Sequence, residues 1–114
     1  MDIGNKGGNI MTDINRIVLT GNLGQEPEAK YFESSGACLT TFSLGVKRYN
    51  SKDKKDITDW YTVKTFSNLG KFLQKGIKVA CDGTLQTDTW EKDGEKKKAI
   101  YVMADSIQIL TPKE

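Results

Sequence analysis

The sequence predicts an all-β domain with one short helix, built as a five-stranded, antiparallel Greek-key barrel. Three observations predict it. Long stretches such as "TTFSLGVKRY" and "DWYTVKTF" alternate along the chain at the period of two that strands require. Clusters of turn formers, "ESSG", "NSKDKKD" and "EKDGEK", separate those stretches. Only one segment carries a helical stripe, and ~100 ordered residues divided into few, long strands suit a barrel better than a sandwich.

The elements follow in order. Residues 1–13, "MDIGNKGGNIMTD", hold three glycines and two asparagines without periodicity and read as a flexible arm. The folded domain is expected over 14–111, with 112–114 a short end. "RIVLTGNL" is a β-branched-rich strand with Ile17, Leu19 and Leu23 in one phase, and Gly21 inside it signals a bend or bulge. "GQEP" turns the chain, and "EAKYF" is a short extended piece. In "ACLTTFSLGVKRY", Phe42, Leu44 and Val46 share one face, and Thr41, Ser43, Gly45, Lys47 and Tyr49 the other. After a charged hairpin loop comes "DWYTVKTF". The helix is expected next, with Ser67 as N-cap, Leu69, Phe72 and Leu73 as its stripe, and Gly76 as the left-handed residue that ends it. "KVACDGTLQTDTW" places Val79, Cys81, Gly83 and Leu85 on one side and Asp82, Thr84, Gln86, Asp88 and Trp90 on the other. Asp93-Gly94 forms a hairpin turn. In "KKAIYVMADSIQIL" the apolar phase shifts from Ile100 and Val102 to Ile107 and Ile109, which requires a bulge near Ala104 to Ser106.

Composition narrows the function. The chain is 37% hydrophobic and 28% charged, with 17 Lys+Arg against 15 Asp+Glu, so its net charge of +2 by itself does not indicate a polyanionic partner. No run of apolar residues reaches the length of a membrane span, and no leader pattern opens the chain. There is no histidine, the commonest general base and metal ligand. Cys38 and Cys81, far apart in sequence, do not make a zinc site. "GNLG" lacks the lysine and spacing of a phosphate-binding loop. Neither catalysis nor a cofactor is expected.

The informative feature lies in "DWYTVKTF". Tyr61 and Val63 belong to the core phase, with Phe42, Leu44, Val46, Val79, Cys81 and Leu85. The opposite phase collects Lys47, Tyr49, Trp60, Lys64, Phe66 and Trp90. A single ring there would ordinarily be packed in a core or an interface. Four rings with two lysines in matching phase suit another purpose: a ring face stacks on any nucleobase, and interleaved ammonium groups contact the phosphates between bases. "KRYNSKDKK" (five basic residues, one aspartate) and "EKKK" (three lysines) lie at hairpin tips that leave this surface and extend its basic track.

"NRIVLTGNLGQEPEAKYFESSG", "FSLGVKR", "DWYTVKTF", "FLQKGIKVACDGTLQTDTWEKDG" and "SIQIL", in that order, closely resemble the bacterial-type single-stranded DNA-binding proteins, with "KYFES" and "DTW" similar to cyanobacterial members. The resemblance runs from Asn15 to Leu110. It implies an OB-fold that coats single-stranded DNA in replication, recombination and repair, assembled as a homotetramer or a dimer, without catalysis, metal or cofactor. It implies stacking roles for Trp60 and Phe66 in "W-x-x-V-x-x-F", for Trp90 ending "G-x-L-x-x-x-x-W", and for Tyr49 at the end of its strand; Lys47, Arg48, Lys64, Lys71 and Lys78 are the implied phosphate contacts. It further implies the bacterial cytoplasm or nucleoid, or a plastid for an organelle-encoded chain. Two departures stand out. Tyr61 replaces a histidine that many members use in subunit association. The sequence ends in "ILTPKE", without the acidic tip through which members recruit other proteins, so protein partners stay open. A tail-less, primosome-type replication accessory protein is the alternative.

Overall fold

The computed structural model describes residues 12–66 and 71–111. Six strands are present: β1 (Ile17–Leu23), β2 (Glu28–Phe32), β3 (Ala37–Asn50), β4 (Lys55–Thr65), β5 (Lys78–Lys92) and β6 (Glu95–Ile109). Five of them close on themselves in the order β1-β5-β6-β4-β3 and back to β1. All barrel pairings are antiparallel except β4 with β6, where Val63, Lys64 and Thr65 run parallel to Val102, Met103 and Ala104. β2, read from the sequence as a short extended piece, lies outside the closed barrel and pairs with the first part of β3, from Glu28 opposite Thr41 to Phe32 opposite Ala37.

The alternation expected from the sequence sets the core. Leu23, Phe42, Leu44, Val63, Val79, Cys81, Val102, Ala104 and Ile107 fill the barrel, with Leu73 at one end. Thr65, fully buried, donates its hydroxyl hydrogen bond to the carbonyl of Ala104 at 3.1 Å across the parallel pair. The expected bulge is present: Asp82 faces Ser106 and Gly83 faces Ala104, which leaves Asp105 as the extra residue. Asp93 and Gly94, with φ of 53° and 79°, make the tight turn between β5 and β6.

Two glycines are required by close approach. A Cβ on Gly21 would overlap the carbonyl of Gly45, where β1 leaves β5 and joins β3 to close the barrel. A Cβ on Gly83 would overlap the carbonyl of Met103 beside the bulge. Gly21 therefore marks the seam rather than a bulge: it stays in register opposite Val79.

Two core expectations are corrected. Tyr61 is 38% exposed and Leu85 43% exposed. Both belong to the inward phase, but β4 and β5 run past the end of the barrel, where no opposite wall exists to cover them. Ile100, at 64% exposure, is uncovered for the same reason. The helix is corrected in part. Its expected N-cap Ser67 and Leu69 lie outside the described residues, as do 1–11 of the arm and 112–114. Among the described residues, Lys71 and Phe72 make a single 3₁₀ turn. Its stripe divides, with Leu73 buried and Phe72 57% exposed. The end of the segment is held by the barrel: Gly76 N–H donates to Leu23 C=O at 2.9 Å, and Leu23 N–H donates to Ile77 C=O at 3.0 Å. Gly76 does take the expected left-handed conformation, φ 91°.

Gly21→Ala should lower stability by about 1–3 kcal/mol, because the added methyl forces β1 from β3; urea unfolding followed by circular dichroism measures it. Burial also pushes the Cys81 thiol up from 9.0 to about 11. The folded chain thus binds this proton more tightly than the unfolded chain, so the associated stability is present below pH 9.0 and lost as pH rises to about 11. Between those limits the wild type should lose more stability than Cys81→Ala, in urea midpoints compared at both ends of the window.

Candidate nucleic-acid interface

The register of β3 on β4 assembles the outer face. Gly45 lies opposite Trp60, Ser43 opposite Thr62, Thr41 opposite Lys64, Lys47 opposite Thr58 and Tyr49 opposite Asp56. Alternation then puts Trp60, Thr62, Lys64 and Phe66 on the same side as Thr41, Gly45, Lys47 and Tyr49. The rings are open: Tyr49 is 61%, Trp60 59%, Phe66 52% and Trp90 47% exposed.

Trp60 is held against the sheet by missing side chains. A Cβ on Gly45 would come within 2.9 Å of the indole, and one on Gly24 would overlap it. The indole borders two hollows. One, an open groove of ≈ 330 Å³, is lined by Thr20, Gly21, Asn22, Gly45, Lys47, Thr58, Trp60 and Lys78. The other is lined by Gly24, Gln25, Ser43 and Trp60. Lys47 and Lys78 are both exposed and form no ion pair among the described residues. A ring and two ammonium groups lining one groove can stack a base and neutralise nearby phosphates.

The face continues at both ends. Phe66 meets Phe32 of β2, ring centroids 6.5 Å apart and tilted by 47°, and Lys30 Nζ stands 5.5 Å from the Phe32 centroid. Lys30 and Phe32 pair with Leu39 and Ala37, which are in phase with Thr41. Beyond the barrel, Trp90 lies opposite Lys97 on the β5–β6 ribbon. Lys64 is already engaged: Nζ donates to Asp88 Oδ2 at 2.9 Å and lies 4.3 Å from the centroid of Tyr101. Lys71 Nζ stands 5.4 Å from the Phe72 centroid on the β4–β5 connection. Arg48 points the other way. It shares the phase of Val46 and donates from Nε to Asp59 Oδ2 at 2.6 Å, and Asp59 holds the guanidinium pKa above its ordinary value by hydrogen bond and charge. No cluster of three or more His, Cys, Asp or Glu suited to a metal ion occurs among the described residues.

Residues 14–110 match the single-strand binding protein family. The chain belongs to that family. Among similar proteins is the single-stranded DNA-binding protein of Clostridium tetani, 35% identical over 102 residues that cover 85% of this chain and 70% of the relative. Another is the single-stranded DNA-binding protein 1 of Xylella fastidiosa, 30% identical over 112 residues covering 91% and 82%. A solved Plasmodium falciparum SSB complex with ssDNA has the same fold, with a TM-score of 0.78 and 25% identity over 89% of this chain and 98% of that one. The barrel is an OB-fold.

Of the side chains expected to act in this member of the family, the structure gathers Lys47, Trp60 and Lys78 at one groove. Phe66 and Lys64 stand further along the same face, Tyr49 stands at its far end, Trp90 on the ribbon, and Arg48 on the reverse. Sequence reasoning missed Phe32, Lys30 and Tyr101. The alternate Lys and Phe in "KYF" hinted at the first two, but placing them needed the register of β2. Nothing in the sequence near Tyr101 pointed to Lys64.

Trp60→Ala and Phe66→Ala should each change unfolding free energy by less than about 1 kcal/mol, because both rings are more than half exposed. Thermal unfolding followed by circular dichroism checks this; a collapse of the fold would show that the ring belongs to the core.

Proposed function

We propose that this chain binds single-stranded DNA without sequence preference, coating exposed strands in replication, recombination and repair. The observation that carries the reading is the groove that Trp60, packed close on Gly24 and Gly45, lines together with Lys47 and Lys78. Relatives named for the same activity, and a structural neighbour bound to ssDNA, support it. Bases stack on Trp60, Phe66, Trp90 and Tyr49, and the open ammonium groups of Lys47, Lys71 and Lys78 follow the backbone. Stacking in single-strand-binding proteins as a class is worth roughly 1–3 kcal/mol per base. The chemistry is binding alone, with no bond made or broken.

The working form is proposed to be a homotetramer. Tyr61, Leu85 and Ile100 lie on the inward phase of strands that outrun the barrel and leave apolar area uncovered, and such patches mark interaction surfaces. Native mass spectrometry separates tetramer from dimer and monomer; a monomer at working concentration would remove this part of the reading.

Titration with oligo-dT should quench tryptophan fluorescence, and log K should fall linearly with log salt at about −0.7 per phosphate neutralised. Trp60→Ala should weaken binding by roughly 10- to 100-fold. Absence of both quenching and salt dependence would refute the proposal, and competition with oligo-rU reports the preference between DNA and RNA.

A further inference from the structure

The β5–β6 ribbon has little to hold it. Every residue from Leu85 to Lys92 and from Glu95 to Ile100 is exposed. A two-stranded ribbon without a packed face is marginally stable in water, yet this one carries Trp90. At its root, the Asn15 side chain receives the Leu85 N–H and donates to the Leu85 carbonyl, at 2.9 and 2.8 Å. Further out, one ion pair among the described residues ties the ribbon to the barrel: Lys64 of β4 reaches across β6 to Asp88 of β5.

The surroundings of Lys64 fit a strut better than an open phosphate contact. Its side chain is 24% exposed, its ammonium rests over the Tyr101 ring, and the Tyr101 hydroxyl donates to Gln86 Oε1 at 3.0 Å, next to Asp88 in the same phase of β5. A phosphate taking Lys64 would displace the Asp88 carboxylate and leave two anions side by side, which is unfavourable. Asp88 stands two residues from Trp90 on the same face, about 7 Å away along the strand. We propose that Lys64 is a positioning residue: clasped by Asp88 and Tyr101, it sets the angle of the ribbon and so aligns Trp90 with Trp60 and Phe66 for one continuous strand of DNA. The alignment rests on the single-strand-binding reading; the strut itself does not.

The chain has two tryptophans, so a Trp60→Phe background isolates the Trp90 signal. Without DNA, Asp88→Asn and Lys64→Met should each lower the fluorescence anisotropy of Trp90, and the exchanged pair Lys64→Asp with Asp88→Lys should restore it. With oligo-dT, each single variant should weaken binding by roughly threefold at an unchanged salt slope, and the exchanged pair should recover affinity. The opposite pattern overturns the proposal: Asp88→Asn tightening binding while Lys64→Met flattens the salt slope by the ~0.7 of one lost phosphate contact. Unchanged anisotropy in both single variants also overturns it. Failure of the wild type to bind oligo-dT refutes the single-strand reading instead, and the DNA-free anisotropy still decides the strut.

Discussion

Where β1 meets β3, Gly21 lies against the carbonyl of Gly45, and no side chain fits between them. That approach closes the barrel, since Asn22 and Leu23 find their partners Gly45 and Leu44 immediately beyond it. The same Gly45 forms the floor under Trp60. Barrel seam and stacking platform are thus one feature seen from two sides. The missing side chains let the strands meet, and they let a large ring approach the sheet closely while keeping more than half of its surface open.

The charges divide into two populations, which a net charge of +2 conceals. Arg16 is held by Asp82 at 2.7 Å and lies 4.0 Å from Asp105, the bulge residue. Arg48 is held by Asp59 and Lys64 by Asp88. These cations have carboxylates of their own, and exposed pairs of this kind contribute little to stability, about 0–1 kcal/mol each. Lys47 and Lys78 stand without such partners among the described residues, and line one groove with Trp60. Local pairing, rather than total charge, marks the cations available to a polyanion.

Much of this was legible in advance because strand alternation is a strict period. The phases of β3 and β4 put Phe42, Leu44 and Val63 inside and Trp60, Lys64 and Phe66 outside, and both assignments hold. The phase shift in β6 announced the bulge at Asp105. Tyr61 and Leu85 were misjudged for one reason: phase says which way a side chain points, not whether anything lies in that direction. Strands that overrun a barrel keep the pattern and lose the wall. The helical stripe around Phe72 and Leu73 misled in a related way, since the hydrogen bonds of Gly76 and Ile77 to Leu23 are invisible from a local window.

The sequence by itself determined the barrel class, the strand phases, the tight Asp93-Gly94 turn and the outward phase of Tyr49, Trp60, Phe66 and Trp90. All of these follow from local periodicity and local backbone preference, which act over a few residues. Only the tertiary structure decided which cations are open, that Phe32 and Lys30 extend the face through β2, and that Lys64 joins Asp88 and Tyr101 across three strands. Those depend on which strands become neighbours and in what register, and contacts between residues 24 apart in the chain, as for Lys64 and Asp88, leave no mark on either segment alone.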